Sequence, residues 1–254
     1  MRQTLVLAEM HLRSTWNWRP MYLGRLIEPV AYLAFMIVGL NTSVNGITDH
    51  GQSVPYGLFA MPGIFALLGA RAGIGAMTDF SNDRKWGVFA FARSANVSPG
   101  RYLVSLVLAA LPMCYIQCLL VTILAVLVIP GTPVLTVSAV ACLVVPLIVA
   151  AWICLGAALG AAIQSYSQRD MVASLTTLPL ILSAPLFFSM DGAPIYLKVL
   201  SWINPLTYQV DFLRGLVLGR LQLVDAVICL AILVVSAALG LILLHKAEWL
   251  TVER

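Results

Sequence analysis

Residues 134–163 read VLTVSAVACLVVPLIVAAWICLGAALGAAI, and this stretch contains no charged side chain. A helix needs about twenty mostly apolar residues to cross the hydrocarbon core of a bilayer, and this stretch is longer than that. The strands of a membrane β-barrel are short and alternate between apolar and polar residues, which this run does not do. The stretch therefore predicts a membrane-spanning helix.

The rest of the chain has the same character. Of its 254 residues, 61% are hydrophobic and only 10% are charged, whereas about a quarter of the residues in a typical soluble domain are charged. Five further segments are long and apolar enough to cross a bilayer: residues 22–40, 54–72, 102–129, 171–189 and 226–244. Because backbone groups in lipid must be bonded within the protein, such segments form helices. We expect an all-α membrane protein with six transmembrane helices, in a single domain over residues 1–254.

The distribution of basic residues predicts the orientation of these helices. With the N-terminus in the cytoplasm, twelve of the fifteen Lys and Arg residues fall on the cytoplasmic side, and only Lys198, Arg214 and Arg220 fall outside. Cytoplasmic loops of membrane proteins carry an excess of Lys and Arg. Both termini are therefore predicted to be cytoplasmic.

Residues 191–224 are too polar for a seventh transmembrane helix. Asn204 and Pro205 interrupt the segment, and Lys198, Asp211 and Arg214 would lie at a costly depth in the membrane. We expect two short re-entrant helices between spans five and six, residues 195–203 and 206–218, which dip into the outer leaflet. A seventh span would instead put the C-terminus outside.

The first twenty residues are predicted to form an interfacial helix on the cytoplasmic side. Leu5, Ala8, Leu12 and Trp16 make one apolar stripe at helical spacing. Trp16 and its neighbour Trp18 suit the headgroup region of a bilayer.

The predicted cytoplasmic loop, residues 78–100, is richer in charge and aromatics than a simple connector. Asp83, Arg84 and Lys85 are followed by Trp86, Phe89 and Arg93 at helical spacing, which suits a short helix with an aromatic and charged face. Gly87 belongs to the same segment. Aromatic and Arg side chains supply many binding hot spots at protein interfaces. The chemistry fits a docking element for a partner protein and fits an interfacial helix equally well.

Ionisable residues inside predicted spans are candidates for function, since they are expensive there. Glu28 lies three residues from Arg25 on the same helix face, and Arg71 lies close enough to the inner end of span two to reach the interface. We interpret the role of Glu28 and Arg71 as structural pairing in preference to a direct role in transport. The two glycine pairs, Gly69 with Gly73 and Gly156 with Gly160, allow close helix contact and are expected to pack within the chain.

Several classes of function lack their motifs. The chain has no G-x-x-x-x-G-K-[ST] phosphate-binding loop, no H-E-x-x-H and no G-x-S-x-G. We therefore expect no catalytic residue, no resident metal or cofactor and no ATP hydrolysis by the chain alone. The five cysteines lie in apolar runs without a C-x-x-C pair, which is typical of packing residues. No basic and aromatic cluster indicates a nucleic-acid partner.

Two stretches carry a resemblance to a known family. The first runs from Met61-Pro62-Gly63-Ile64 through Asp83-Arg-Lys-Trp-Gly87 to Ser94-Ala-Asn-Val-Ser-Pro-Gly-Arg101. The second contains Pro179-Leu-Ile-Leu-Ser-Ala-Pro-Leu-Phe-Phe188, Trp202-Ile-Asn-Pro-Leu-Thr-Tyr208 and Asp211-Phe-Leu-Arg214. Together they resemble the ABC-2 permease family, which includes drug, Nod-factor, O-antigen and teichoic acid exporters. The family often has Ser-Gly where this chain has Ser183-Ala184, a small change.

The resemblance implies a permease subunit of the bacterial inner membrane that exports a hydrophobic, amphiphilic or lipid-linked substrate. It would pair with a second permease, identical or related, and bind separate nucleotide-binding ATPase subunits that hold ATP and Mg.

The resemblance also implies three groups of site residues. The N-terminal helix and the coupling helix within Asp83–Arg93 would contact the ATPase. Spans one, two and five would line the substrate path, with Glu28, Phe35, Phe59, Phe187 and Phe188 as its candidate residues. The external gate would contain Asn204, Pro205, Tyr208, Asp211 and Arg214.

Two alternatives fit the sequence less well. A secondary transporter driven by an ion gradient usually has inverted repeats and paired broken spans, and neither is evident here. An intramembrane enzyme acting on lipid needs several titratable groups at one depth, and Glu28 has only arginines as companions.

Overall fold

A computed structural model describes residues 2–17, 19–39, 46–49, 51–129 and 133–247. Helices dominate this part of the chain, so the prediction of an all-α membrane fold is confirmed. Leu40, the expected end of the first span, and Trp18 lie outside the described residues, as does the side chain of Trp16.

The elements are numbered here in chain order. The helices are α1 (Arg2–Asn17), α2 (Arg19–Tyr32), a π-helical turn (Leu33–Val38), α3 (Tyr56–Lys85), α4 (Val88–Ser94), α5 (Pro99–Val128), α6 (Val134–Ala162), α7 (Tyr166–Ser183), α8 (Ile195–Ile203), α9 (Pro205–Val217) and α10 (Leu223–Lys246). The strands β1 (Ile47–Asp49) and β2 (Gln52–Val54) form an antiparallel hairpin.

Four of the described helices are long and apolar enough to cross a membrane: α3, α5, α6 and α10. They correspond to predicted spans two, three, four and six. The other two predicted spans are the helical segments with more polar residues. Span one is α2 with the π-helical turn, and span five is α7, whose first two turns contain Arg169 and Asp170.

Helices α3 and α6 form the centre of the bundle, and glycines bring their backbones together. A Cβ atom on Gly73 of α3 would lie 2.6 Å from the carbonyl oxygen of Trp152, and one on Gly160 of α6 would lie 2.7 Å from that of Met77. Gly156 of α6 lies directly against the backbone of Gly73. The prediction that the two glycine pairs pack within the chain is therefore confirmed.

Helix α3 extends much further than the sequence suggested. The apolar run ends at Ala72, but the helix continues to Lys85, because no proline follows Pro62 within it and Gly73 and Gly75 keep a helical backbone. Gly87 has φ of 76°, a left-handed conformation that glycine adopts without a Cβ clash, and it turns the chain into α4. Most of the predicted loop of residues 78–100 is therefore helical.

The bundle has two ends that differ in structure. The α1–α4 end contains α1, α4, the last turn of α3 and the first turn of α5. The hairpin end contains the β1–β2 hairpin, α8 and α9. At the hairpin end, Arg220 contacts Asp49 of the hairpin at 2.9 Å and so ties the segment before α10 to β1.

Helices α8 and α9 match the two short helices expected from the sequence. They are separated at Asn204, and α9 begins at Pro205, one residue before its predicted start. Proline suits the first position of a helix because its missing N–H is not needed there.

Helix α1 packs along α5 and buries Thr4, Leu7 and Ala8. Leu5 and Leu12 of the predicted apolar stripe remain exposed on the protein, so only Ala8 of the described part of the stripe is buried. An exposed apolar stripe beside the charged Arg2 and Glu9 suits a helix at a membrane interface.

Candidate functional site

The last turn of α3 contains an arginine that caps the C-terminus of α6. Arg84 is buried, and its Nη1 donates to the carbonyl oxygens of Gly160, Ala161 and Ile163 at 3.3, 2.7 and 3.1 Å. The last four carbonyls of a helix have no partner within the helix, and a cation there is favourable. Arg84 therefore joins α3 to the C-terminus of α6.

Asp83, one residue earlier, connects three helices. Its Oδ2 accepts a hydrogen bond of 2.5 Å from the hydroxyl of Tyr102 in α5 and lies 3.8 Å from Nδ1 of His11 in α1. Burial lowers the pKa of His11 to about 4, so this imidazole is neutral at physiological pH. The α1–α4 end is thus held together by a buried polar contact.

An aromatic cluster next to the contact between Asp83 and Tyr102 holds α4 against the bundle. The ring of Phe89 is fully buried and lies edge to face with Phe80 and Tyr102, with centroids 5.0 and 5.2 Å apart. Such aromatic pairs contribute beyond the area that they bury.

The expectation that Asp83, Arg84 and Phe89 would lie on a presented face does not fit their burial. They face inward because each has a partner in α5, α6 or α3. The exposed side chains of this segment are Trp86, with 57% of its surface accessible, and Phe91, with 74%. The sequence analysis did not include Phe91. The spacing was a usable signal, because residues two apart on a helix point in nearly opposite directions, so Phe89 and Phe91 could not both face the core.

The remaining predicted residues of this segment support its shape. Nζ of Lys85 lies 3.2 Å from the centre of the Tyr166 ring at the start of α7, and Nη1 of Arg93 donates to the carbonyl oxygen of Val97 at 3.2 Å. Gln3 of α1 donates to the carbonyl oxygen of Ala95. The ATPase contact itself stays a prediction.

A cavity of about 590 Å³ lies beside the α1–α4 end, between α1, α2, α3, α5 and α7. Glu28 of α2 and Arg71 of α3 form an ion pair at its side. The sequence suggested Arg25 as the partner of Glu28, because the two share a helix face. The guanidinium of Arg25 instead packs against Gly75 of α3, where a Cβ would lie 2.8 Å from its Nη1.

The aromatic residues predicted for the substrate path do not line this cavity. Phe35 is exposed on the π-helical turn, Phe59 is fully buried, and Phe187 stacks on Tyr32 with centroids 5.9 Å apart. Phe188 is half-buried next to it in the chain. Of the five path candidates, the structure therefore brings only Glu28 to the cavity.

At the hairpin end, Asn204 joins α7, α8 and α9. Its Oδ1 accepts from the backbone N–H of Leu206 at 2.9 Å, which caps α9. Its Nδ2 donates to the carbonyl oxygen of Leu180 and to Oγ of Ser183, at 2.8 and 2.9 Å. Its amide therefore makes three bonds, and Pro205 follows as the first residue of α9.

Arg214 of α9 is a second junction at this end. It is buried, and its Nε donates to the carbonyl oxygen of Phe59 at 2.9 Å while its Nη2 donates to those of Pro185 and Leu186. Its guanidinium also lies over the Phe59 ring, 3.6 Å from the centroid. Arg214 thus holds α9 to α3 and to the segment that follows α7.

Gly63, of the Pro62-Gly63 pair, explains how the segment after α7 can approach α3. A Cβ on Gly63 would lie 2.7 Å from the carbonyl oxygen of Leu186, so a larger residue would push the segment away. Asp211 lies 3.8 Å from Arg214, and the hydroxyl of Tyr208 donates to the carbonyl oxygen of Trp202. The structure brings the five predicted gate residues together in one region, and their gating role stays a prediction.

The described residues contain no group of three His, Cys, Asp or Glu side chains placed as metal ligands. Arginines that bond to backbone carbonyls and capped short helices position helices relative to one another.

Comparison with known proteins gives one finding. A family model described as ABC-2 type transporter matches residues 2–218, from the start of α1 through α9. No curated protein matches the chain. The matched range contains the α1–α4 end, the cavity and both junctions at the hairpin end. Members of this family are the permease components of ABC transporters and work with an ABC ATPase subunit. With its four long apolar helices, the chain is a multi-pass membrane protein, and it belongs to the ABC-2 type transporter family.

Proposed function

We propose that the chain is the transmembrane permease subunit of an ATP-driven exporter in the inner membrane of a bacterium. It forms the translocation path for a hydrophobic, amphiphilic or lipid-linked substrate. A separate nucleotide-binding subunit binds ATP and Mg and performs the hydrolysis, and the permease itself has no ATPase activity.

The proposed topology has six spans with both termini in the cytoplasm. Helix α2 and the π-helical turn together cover residues 19–38, about 30 Å at the α-helical rise, and the 18 residues of α7 cover about 27 Å. Both lengths approach the thickness of the hydrocarbon core. Helices α8 and α9 then enter the outer leaflet and return, and in this topology the α1–α4 end faces the cytoplasm.

One observation carries the proposal. Trp86 and Phe91 are exposed at the α1–α4 end, while neighbouring residues are locked from inside by hydrogen bonds and ring contacts. Exposed aromatics held on a rigid support are typical of interface hot spots. We propose that they bind the ATPase subunit and that α4 is the coupling helix.

A second permease, identical or related, would complete the path. Helix α7 exposes apolar residues along one stripe, Met171, Leu175, Leu178 and Leu182, and α2 exposes Leu23 and Ile27. A path between two permeases would use these thinly packed helices together with α3.

The proposal is tested by replacing the exposed aromatics and measuring recovery of the partner ABC ATPase with the permease. The double variant Trp86→Ala/Phe91→Ala should weaken the association at least about tenfold, since each removed hot spot costs about 1–2 kcal/mol. The stimulation of ATP hydrolysis by the permease should fall in parallel.

Trp202→Ala is the matched control, because Trp202 is also an exposed tryptophan (69%) but lies at the hairpin end. It should leave the association unchanged. Full association by the double variant would contradict the coupling assignment. Transport by the permease alone under an ion gradient would overturn the whole proposal in favour of a secondary transporter.

A further inference from the structure

The cavity beside the α1–α4 end has the size and lining of a ligand site. Its volume of about 590 Å³ lies in the range of about 300–1,000 Å³ that is usual for small-molecule sites. Six helices contribute to its wall, α6 through Ile153 alone, and the lining extends from Trp86 near the end of the bundle to Tyr32 in α2.

Charged side chains of both signs line this cavity in equal number. Three guanidinium groups come from three helices, and three carboxylates come from two: Arg25, Arg71, Arg169, Glu28, Asp79 and Asp83. With all three carboxylates ionised, the formal charges sum to zero. Charged groups are expensive inside a membrane protein and mark functional candidates there.

The charged groups are held in place by contacts across helices. Glu28 of α2 pairs with Arg71 of α3. Nη1 of Arg169 also donates to Oδ1 of Asn82 at 3.0 Å. The cavity therefore presents fixed positive and negative groups within reach of one ligand.

The wall contributed by α5 is different in character. From Leu106 through Ala109, Ala110 and Met113 to Cys114 it is apolar, with Gln117 as its one polar residue. Leu67 and Leu68 of α3 also line the cavity. A ligand in the cavity would meet ionic groups on one side and hydrocarbon on the other. Such a site suits an amphiphile rather than an ion or a sugar.

We propose that this cavity binds a zwitterionic amphiphile, with its anionic group at the arginines, its cationic group at the carboxylates and its apolar part against α5. A ligand with a net charge would leave one charge without compensation in a site of low dielectric, which costs free energy. A zwitterion preserves the balance. The inference rests on the proposed function in one respect, namely that the bound amphiphile is the exported substrate.

The test uses the full chain in an uncharged detergent and three probes with the same dodecyl chain. These are dodecylphosphocholine, dodecyl phosphate and dodecyltrimethylammonium, which are zwitterionic, anionic and cationic. Each is added below its micelle concentration, and binding is measured by native mass spectrometry. The zwitterionic probe should bind about tenfold more tightly than either charged probe. Equal binding of all three, or preference for a charged probe, would overturn the proposal.

Neutralising one member of the ion pair should change the preference in a direction set by the remaining charge. Glu28→Gln leaves a net positive cavity and should favour dodecyl phosphate, while Arg71→Gln leaves a net negative one and should favour dodecyltrimethylammonium. The exchanged pair Glu28→Arg/Arg71→Glu restores neutrality and should restore the zwitterionic preference. An unchanged order of the three probes in both single variants would overturn the assignment to this cavity.

The exposed pair of Glu9 and Arg13 on α1 supplies the matched control. These residues make the same kind of ion pair, at 2.6 Å, but do not line the cavity. Glu9→Gln and Arg13→Gln should leave the order of the probes unchanged. The probe-binding test contains no ATPase, so its result does not depend on whether the permease binds one. Either proposal can therefore fail without the other.

Discussion

At the scale of single residues, buried arginines are the most informative groups in this structure. Arg214 donates to three carbonyl oxygens on two separate segments and stacks on a ring, so its burial is compensated at several points. A planar guanidinium with five N–H donors can do this, and a lysine ammonium on a flexible stem cannot reach the same set. The role of Arg214 therefore depends on the planar shape of its guanidinium group as well as on its charge.

Arg214→Lys should destabilise the protein by about 2–4 kcal/mol, because it keeps the charge buried while removing several of its partners. The measurement is thermal unfolding of the purified chain in detergent. Arg13→Lys is the control, since Arg13 is exposed, and it should change stability by less than about 0.5 kcal/mol. Equal stability of the two variants would show that the carbonyl contacts of Arg214 contribute little.

The sequence could identify such residues as unusual but could not name their partners. Glu28 and Arg71 stood out because ionisable side chains are costly in apolar runs. Their pairing joins α2 to α3, whereas a single helix face offered only Arg25 as a partner for Glu28. Phe89 and Phe91 are equivalent in composition, and only the packing against Phe80 and Tyr102 decides that Phe89 is the buried one.

At the scale of elements, the contact between α3 and α6 depends on the absence of side chains. Gly156 and Gly73 let the two backbones touch, and Gly69 and Gly160 extend this contact by one turn in each direction. In a membrane the association of helices relies on such close packing, since lipid supplies no hydrophobic force between them.

Gly156→Ala should destabilise the bundle by about 1–3 kcal/mol, because the added methyl group would overlap the backbone of Gly73 and force the helices apart. Thermal unfolding in detergent and the yield of folded protein report the effect. Gly24→Ala is the control, as a Cβ at Gly24 of α2 would meet nothing within 4 Å. That change should be neutral or stabilising by up to about 1 kcal/mol. Loss of stability in both variants alike would contradict the packing argument.

The ends of elements followed from the sequence only where a specific residue stops a helix. Asn204 and Pro205 separate α8 from α9, and the predicted bounds of these helices agree with the structure to within one residue. The end of α3 was missed by thirteen residues because hydropathy follows the lipid environment rather than backbone conformation. Its polar last three turns are buried by protein and remain helical to Lys85.

At the scale of the whole molecule, the distribution of basic residues distinguishes the two ends. Arg84, Lys85, Arg93 and Arg101 all lie at the α1–α4 end, whereas Arg214 and Arg220 lie at the hairpin end. By the positive-inside rule, this distribution supports the proposed orientation, in which the α1–α4 end faces the cytoplasm. The number of spans decides whether the C-terminus returns to that side.

A reporter fused to the C-terminus should be active in the cytoplasm if the chain has six spans. A fluorescent protein that folds only in the cytoplasm and an alkaline phosphatase that is active only outside make a complementary pair. The same reporters inserted after Gly51 in the β1–β2 turn should give the opposite pattern. Phosphatase activity from the C-terminal fusion would indicate a seventh span and contradict the re-entrant assignment of α8 and α9.

Helix α3 also has a mechanical consequence. Its 30 residues make a rod of about 45 Å. Near one end Arg84 donates to carbonyl oxygens of α6, and near the other the carbonyl oxygen of Phe59 accepts from Arg214. If the Arg84 end were held and the rod tilted by about 5°, its far end would travel about 4 Å. In the proposed function, a push on α4 that tilts α3 would therefore displace the α9 junction on the other side of the membrane, without any change inside the helix itself.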